Sequence, residues 1–163
     1  MLSQPFFRRI FPCWFLALLS TAPAVAQTAT ANRNEGKTVA LLSSGWRFKQ
    51  VGKENWAPAT VPGCVHTDML ANKQIEDPLY RDNETKLQWI GKVDWEYETT
   101  FAVPAATLQR ANLELVFKGL DTYADVTLNG TDILHTDNMF REWRVNVKPQ
   151  LKTGENHLHI RFR

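Results

Sequence analysis

The sequence predicts an all-β fold, an antiparallel β-sandwich or jelly roll, and three observations predict it. Runs of strictly alternating side chains recur along the chain, the signature of half-buried strands. Asn129-Gly130 joins two such runs, and both residues tolerate positive φ, which fits a type I′ hairpin turn. The elements amount to about six strands and one short helix with no strand–helix–strand spacing, so a parallel sheet is excluded.

Taken in order, Gln27 to Val39 is small, polar and aperiodic, and reads as a flexible leader extending over residues 27–40. Trp46 and Phe48 alternate with Arg47 and Lys49 in the first strand. Trp56, Pro58 and Pro62 mark an extended, irregular segment. Thr67 is placed to cap a short helix over Asp68 to Asn72, with Met69 and Leu70 turned inward. Ile75 to Gly91 reads as a long loop with one helical turn around Leu87 to Ile90, and loops of that length are usually functional. From Val93 to Val103 the alternation is the cleanest in the chain. Trp95, Tyr97, Thr99, Phe101 and Val103 share one face, opposite Asp94, Glu96, Glu98 and Thr100. Pro104 ends that run.

Leu113 to Val147 reads as a long hairpin. Leu113, Leu115 and Phe117 oppose Glu114 and Val116, and then Ala124, Val126 and Leu128 oppose Tyr123, Asp125 and Thr127. Trp95 is expected in the core, and Asp121 is expected to bond backbone amides at its turn. The last run, His157 to Arg163, turns Leu158, Ile160 and Phe162 inward and still alternates at Arg163. A fragment of a longer protein is expected, its sandwich truncated before the last strands.

A net charge of +2, with 22% charged residues, leaves no basic patch for nucleic acid. The amino terminus has its own logic. Arg8 and Arg9 precede an apolar run from Ile10 to Leu19, and Ala24-Val25-Ala26 follows. That is the pattern of a secretory signal peptide over residues 1–26, and export to the periplasm or the exterior is expected. The body of the chain holds no 18-residue apolar run, so no membrane span is expected after cleavage. Cleavage would leave only Cys64, which cannot form an internal disulfide and reads as a buried structural cysteine.

Sugar recognition needs aromatic faces together with planar amides, carboxylates or guanidinium groups for paired hydroxyls. Two loops offer that mixture: Tyr80-Arg81-Asp82-Asn83-Glu84, and Asp137-Asn138-Met139-Phe140-Arg141-Glu142-Trp143. The competing reading of both is turn chemistry and solvated charge. His157 and His159 share one strand face, but with no other ligand at metal spacing they read as surface residues. No metal or cofactor is expected, and the Asn-Glu pairs at Asn34-Glu35 and Asn83-Glu84 are rejected as catalytic dipeptides.

Several motifs combine into a resemblance. Gly45-Trp46-Arg47-Phe48 leads to Val61-Pro62-Gly63-Cys64-Val65-His66-Thr67-Asp68, and then to Asp77-Pro78 and Arg81-Asp82-Asn83-Glu84. Asp94-Trp95-Glu96-Tyr97, Leu120-Asp121-Thr122-Tyr123-Ala124-Asp125, Leu128-Asn129-Gly130 and Gly154-Glu155-Asn156 follow. Over residues 41–163 the chain resembles the amino-terminal domain of β-mannosidases in glycoside hydrolase family two. The resemblance implies a galactose-binding-domain-like sandwich, itself non-catalytic, that packs on a catalytic barrel of the same polypeptide and walls its substrate pocket. It implies a retaining mechanism whose two glutamates lie in the barrel, with no counterpart here. The implied ligand is a β-mannoside oligosaccharide, bound by the full-length enzyme and cleaved at its terminal non-reducing mannose. Asp82, Asn83, Asp137 and Asn138 are the candidate pocket-facing residues. A stand-alone carbohydrate-binding module is the alternative.

Overall fold

The computed structural model describes residues 32–34 and 37–163. The expected signal peptide, residues 1–26, lies outside the described residues. Two compact units divide the chain at Ala40. In the first, β1 (Asn32–Asn34) pairs antiparallel with β2 (Lys37–Val39), with Asn32 opposite Val39. The reading of this stretch as an aperiodic leader did not anticipate that pairing.

The second unit is a sandwich. Its strands are β3 (Arg47–Gln50), β4 (Ala57–Pro58), β5 (Trp95–Val103), β6 (Glu114–Phe117), β7 (Ala124–Leu128), β8 (Thr131–His135), β9 (Trp143–Asn146) and β10 (Gly154–Phe162). A six-stranded sheet runs β4-β3-β5-β10-β7-β8, every neighbour antiparallel, and β6 pairs with β9 in a second sheet. Leu113 to Val147 is therefore not one long hairpin. Only β7 and β8 form a hairpin, while β6 and β9 leave the large sheet and pair with each other, Leu115 opposite Val145. Alternation is the same for either pairing, so it could not distinguish them.

The alternation itself holds. Ala124, Val126 and Leu128 of β7 are completely buried, as are Phe48, Leu158, Trp95 and Tyr97 nearly so. Phe48 packs between Trp95 and Tyr97, at ring-centroid distances of 5.9 and 5.6 Å, and Phe162 meets Tyr97 edge-on at 5.8 Å. Leu115, Phe117 and Val145 of the small sheet pack against this cluster, which closes the sandwich. Burial of these aromatic and aliphatic surfaces is the main stabilising term.

Short helices complete the layer. α1 (Val65–Ala71) starts three residues earlier than expected, with Cys64 at its N-cap in place of Thr67. Thr67 sits inside the first turn, where its hydroxyl accepts from the Cys64 amide at 3.2 Å. Cys64 is exposed, not buried, because the N-cap position points away from the core. The helical period turns Asp68 and Met69 inward and leaves Leu70 exposed, correcting the expected inward Leu70. Asp68 is buried because two donors need it. Its Oδ1 accepts from the Thr60 amide at 2.8 Å and its Oδ2 from the Tyr97 hydroxyl at 2.9 Å. Burial, and then the neighbouring Asp68 carboxylate, hold the Tyr97 phenol protonated well above its ordinary range. The expected long loop contains α2 (Asn83–Leu87) and a 3₁₀ turn (Gln88–Lys92). The 3₁₀ turn buries Ile90, and its carbonyl accepts from Trp95 Nε1 at 2.9 Å. A further turn, α3 (Ala105–Leu108), follows Pro104.

The registers give the sandwich two distinct ends. Gln50 and Phe162 both face Trp95, Phe162 faces Ala124, and Asp125 faces His135. The turn after β3, the segment entering β5, the segment entering β7 and the segment leaving β8 therefore all emerge at one end, the loop end. The opposite end, the turn end, holds Asn129-Gly130 and residues 148–154. There Asn129 and Gly130 have φ of 53° and 81°, as a type I′ turn requires. Asn156 is fully buried beside them. Its Oδ1 accepts from Asn129 Nδ2 at 2.8 Å and from the Lys152 amide at 2.9 Å, and its Nδ2 donates to the carbonyls of Lys152 and Gly154. Asn129 Nδ2 also donates to the Gln150 carbonyl, and its Oδ1 accepts from the His157 amide at 3.0 Å.

Candidate functional site

The loop end carries both polar loops singled out in the sequence. Asp82 stands at the N-cap of α2, exposed, and its Oδ1 accepts from Lys86 Nζ at 3.0 Å one helical turn on. A pair this exposed is worth only about 0.3–0.5 kcal/mol, so the carboxylate exchanges partners readily. Arg81 beside it adopts a left-handed φ of 53° and lays its guanidinium over the Tyr80 ring at 5.0 Å.

Asn83 behaves differently from its neighbour. Its side chain turns inward, with the residue only 5% exposed, and its Nδ2 donates to the Asp77 carbonyl at 2.9 Å and to Glu76 Oε2 at 3.4 Å. Asp77 Oδ1 in turn accepts from the Leu79 amide at 2.9 Å. Asn83 therefore closes the loop that presents Asp82, and its amide does not face outward. The two residues are adjacent in sequence but sit on opposite sides of the first turn of α2.

The second loop follows β8. Asp137 and Asn138 are both exposed. Asn138 Oδ1 accepts from the Phe140 amide at 2.9 Å, an Asx turn that leaves its Nδ2 pointing to solvent as a donor. The turn thrusts Phe140 outward, 87% exposed, while Arg141 stacks on Trp143 at 4.3 Å. The segment entering β7 lies alongside. Thr122 Oγ1 reaches Met139 Sδ at 3.6 Å, and Asp121 accepts from the Thr122 hydroxyl, not from the backbone amides expected of it.

The fold brings Asp82, Asp137 and Asn138 to one end but not into one cluster. Their loops attach to β5 and β8, and β10 and β7 lie between those strands in the sheet. Three strand spacings put β5 and β8, the strands these loops attach to, about 14 Å apart. The arrangement is a polar and aromatic rim, able to contact a ligand seated over the end.

The outward face of the large sheet holds a feature the sequence reading missed. Glu98 is buried, and it takes both the Arg47 guanidinium and His157 Nε2, the latter at 2.9 Å. Two residues along, Glu96 pairs with Lys49 at 3.1 Å and lies 3.8 Å from His159 Nε2. Further on, Arg161 donates to Asp94 at 2.7 Å, and Asp125 meets His135 at 2.7 Å and Arg163 at 3.0 Å. His157 and His159 are thus rungs of a cross-strand ladder of alternating charge. The signal was present as opposite charges at period two in Arg47/Lys49 and Glu96/Glu98, but only the strand order makes them neighbours. Burial lowers the His159 pKa, against the pull of Glu96 and Glu98. Among the described residues, no group of three His, Cys, Asp or Glu side chains forms a metal site, and no helix is long and apolar enough to cross a membrane.

Comparison with known proteins places this geometry. Residues 46–163 match the family model described as glycosyl hydrolase 2 galactose-binding domain-like. The chain is 40% identical over 129 residues to Beta-mannosidase B of Thermothelomyces thermophilus, covering 77% of this chain and 15% of that protein. Among solved structures it superposes on a beta-D-mannosidase of Dictyoglomus thermophilum with a TM-score of 0.73, at 44% identity, covering 74% of this chain and 15% of that one. An exo-chitosanase of Amycolatopsis orientalis shares the fold at a TM-score of 0.62 and 22% identity. The chain spans about 15% of the length of the curated relatives it matches. A galactose-binding-like antiparallel sandwich, matched along its whole length from Trp46, with its polar loops gathered at one end: the chain belongs to the glycosyl hydrolase 2 galactose-binding domain-like family, as the amino-terminal domain of β-mannosidase homologues.

Proposed function

We propose that the chain is the non-catalytic amino-terminal domain of an exported, retaining β-mannosidase that removes terminal non-reducing β-D-mannose from manno-oligosaccharides. The observation that carries this reading is the 40% identity to Beta-mannosidase B across the sandwich, joined to the small share of that protein the chain spans. The remainder of the polypeptide supplies a catalytic barrel and both glutamates, which in a retaining enzyme stand about 5–5.5 Å apart. The sandwich packs on the barrel, and the Asp82 and Asp137 loops wall the substrate pocket.

Within the rim the roles differ. Asp82 and Asp137 are exposed carboxylates on anchored loops, suited to accept from sugar hydroxyls, and Asn138 offers a free amide donor. Asn83 acts indirectly, by holding the loop beneath Asp82. Export rests on Arg8-Arg9, the apolar run from Ile10 to Leu19, and Ala24-Val25-Ala26.

The test is turnover of an aryl β-mannoside by the full-length protein and by its D82A and D137A variants. A loss in kcat/KM of about tenfold or more in either variant, with folding intact, is the expected result. Unchanged turnover in both removes these residues from the pocket. Turnover of a different glycoside in place of the β-mannoside overturns the substrate. Sequencing the amino terminus of the secreted protein tests export, with Gln27 expected first.

A further inference from the structure

A second recessed surface lies on the β3 side of the sandwich, away from Asp137. It is a cleft of about 210 Å³ between the turn after β3 and the 3₁₀ turn. Its wall is aromatic. The Trp89 indole, 40% exposed, leans on buried Trp95 at 6.3 Å between ring centroids and 38° between planes. Buried Phe48 and Met69 close the floor, so the exposed indole is backed by core side chains.

The rim is polar and comes from separate elements. Gln50 ends β3, Lys53 and Asn55 lie in the turn after it, and Gln74 follows α1. Their backbones are fixed: the Lys53 amide donates to the Gln50 carbonyl at 3.1 Å, and the Gln74 amide to the Met69 carbonyl at 2.9 Å. These contacts use main-chain atoms, which leaves the side-chain amides to a ligand. Lys49 also lines the cleft, but its ammonium is taken by Glu96 at 3.1 Å and by the Trp56 ring at 4.9 Å.

An aromatic plane, three side-chain amides and one ammonium match a ring with an apolar C–H face and hydroxyls at its edge. A phosphate or sulfate is held best by guanidinium forks, and none lines the cleft, where Lys53 is the one ammonium not already taken. No carboxylate lines it either, so the chemistry it offers is binding without hydrolysis. Its volume lies below the roughly 300–1,000 Å³ of drug-sized pockets and suits one ring, not a chain. The geometry points to a second, non-catalytic site for a single neutral pyranose, stacked on Trp89 and held by Gln50, Asn55, Gln74 and Lys53. The site stands whether or not the parent hydrolyses mannosides.

The experiment is a titration of the full-length protein with methyl α-D-mannopyranoside, methyl α-D-glucopyranoside and inorganic phosphate. Tryptophan fluorescence and ligand-observed saturation-transfer NMR are the readouts. At least one pyranoside should bind saturably, in the millimolar range expected of so small a polar ligand, and phosphate should not. Trp89→Ala should weaken that binding by about tenfold or more. Gln74→Ala and Lys53→Ala, at exposed positions that leave the fold intact, should each weaken it several-fold and keep the proposal testable should Trp89→Ala misfold. D82A and D137A should leave it unchanged, and turnover of an aryl β-mannoside should be unchanged in Gln74→Ala. No saturable pyranoside binding, binding unaffected by Gln74→Ala and Lys53→Ala, binding lost in D82A, or binding of phosphate alone would each overturn the site. The probes are α-linked, so this result is independent of β-mannoside turnover.

Discussion

The two ends of the sandwich solve opposite problems with the same residue types. At the turn end, Asn129 and fully buried Asn156 hydrogen-bond to each other, and every side-chain polar atom of Asn156 is satisfied by protein. At the loop end, Asn138 and Asp82 make one local hydrogen bond each and otherwise face water, and Phe140 projects beyond them. An asparagine with all its bonds made inside holds strands in register. An asparagine with a donor to spare can meet something else. The difference is one of burial, not of chemistry, and it separates the part of the domain that carries stability from the part available to a partner.

That contrast can be broken by substitution. Asn156→Ala should have the largest effect, a loss on the order of 3–4 kcal/mol, since it strands buried backbone donors and acceptors. The sandwich's urea unfolding transition in the full-length protein measures it, and a loss no greater than that of Phe140→Ala would erase the distinction between the ends. Tyr97→Phe comes next. It leaves the buried Asp68 carboxylate one donor short, at a cost of about 1–3 kcal/mol in the same measurement. Asn83→Ala should cost about 1–2 kcal/mol, and adjacent Asp82→Ala less than about 0.5 kcal/mol. Equal costs would mean that the loop end is braced by both residues.

The outward ladder adds a pH dependence. His159 has its folded-state pKa lowered, mainly by burial, with Glu96, Glu98, His157 and Lys49 around it. The unfolded chain therefore takes up the proton first, near its ordinary value of about 6.5. Stability from this residue is present above that pH and is lost as the pH falls through it toward the lower folded value. His159→Gln should flatten the dependence of unfolding free energy on pH between about 7 and 5. An unchanged slope would show that burial of His159 is too slight to matter. The smallest expected effect is that of Phe140→Ala on stability, within about 0.5 kcal/mol. A larger loss would mean that the projecting loop is structural after all.

Much of this fold was legible in the sequence. Period-two patterning is a property of each strand alone, so β5, β7 and β10 announced themselves, and Asn129-Gly130 supplied the geometry of its own turn. The motifs from Trp46 to Asn156 were enough for the family. The candidate site was legible only as two loops of suitable composition. Sequence could not separate Asp82, which faces water, from Asn83, which faces the protein, because one residue in a helix's first turn rotates the side chain by about 100°.

What the sequence determined by itself was which segments are strands, which side of each is apolar, and where the chain reverses most tightly. Tertiary structure alone decided that β6 pairs with β9, that Asp68 and Glu98 are buried because Tyr97, Thr60, Arg47 and His157 arrive to meet them, and that both polar loops emerge at one end. The physical reason is range. Alternation and turn preference arise from neighbouring dihedral angles, whereas strand order and the satisfaction of a buried charge depend on partners distant in sequence, 51 residues away for Arg47 and Glu98 and 59 for His157 and Glu98.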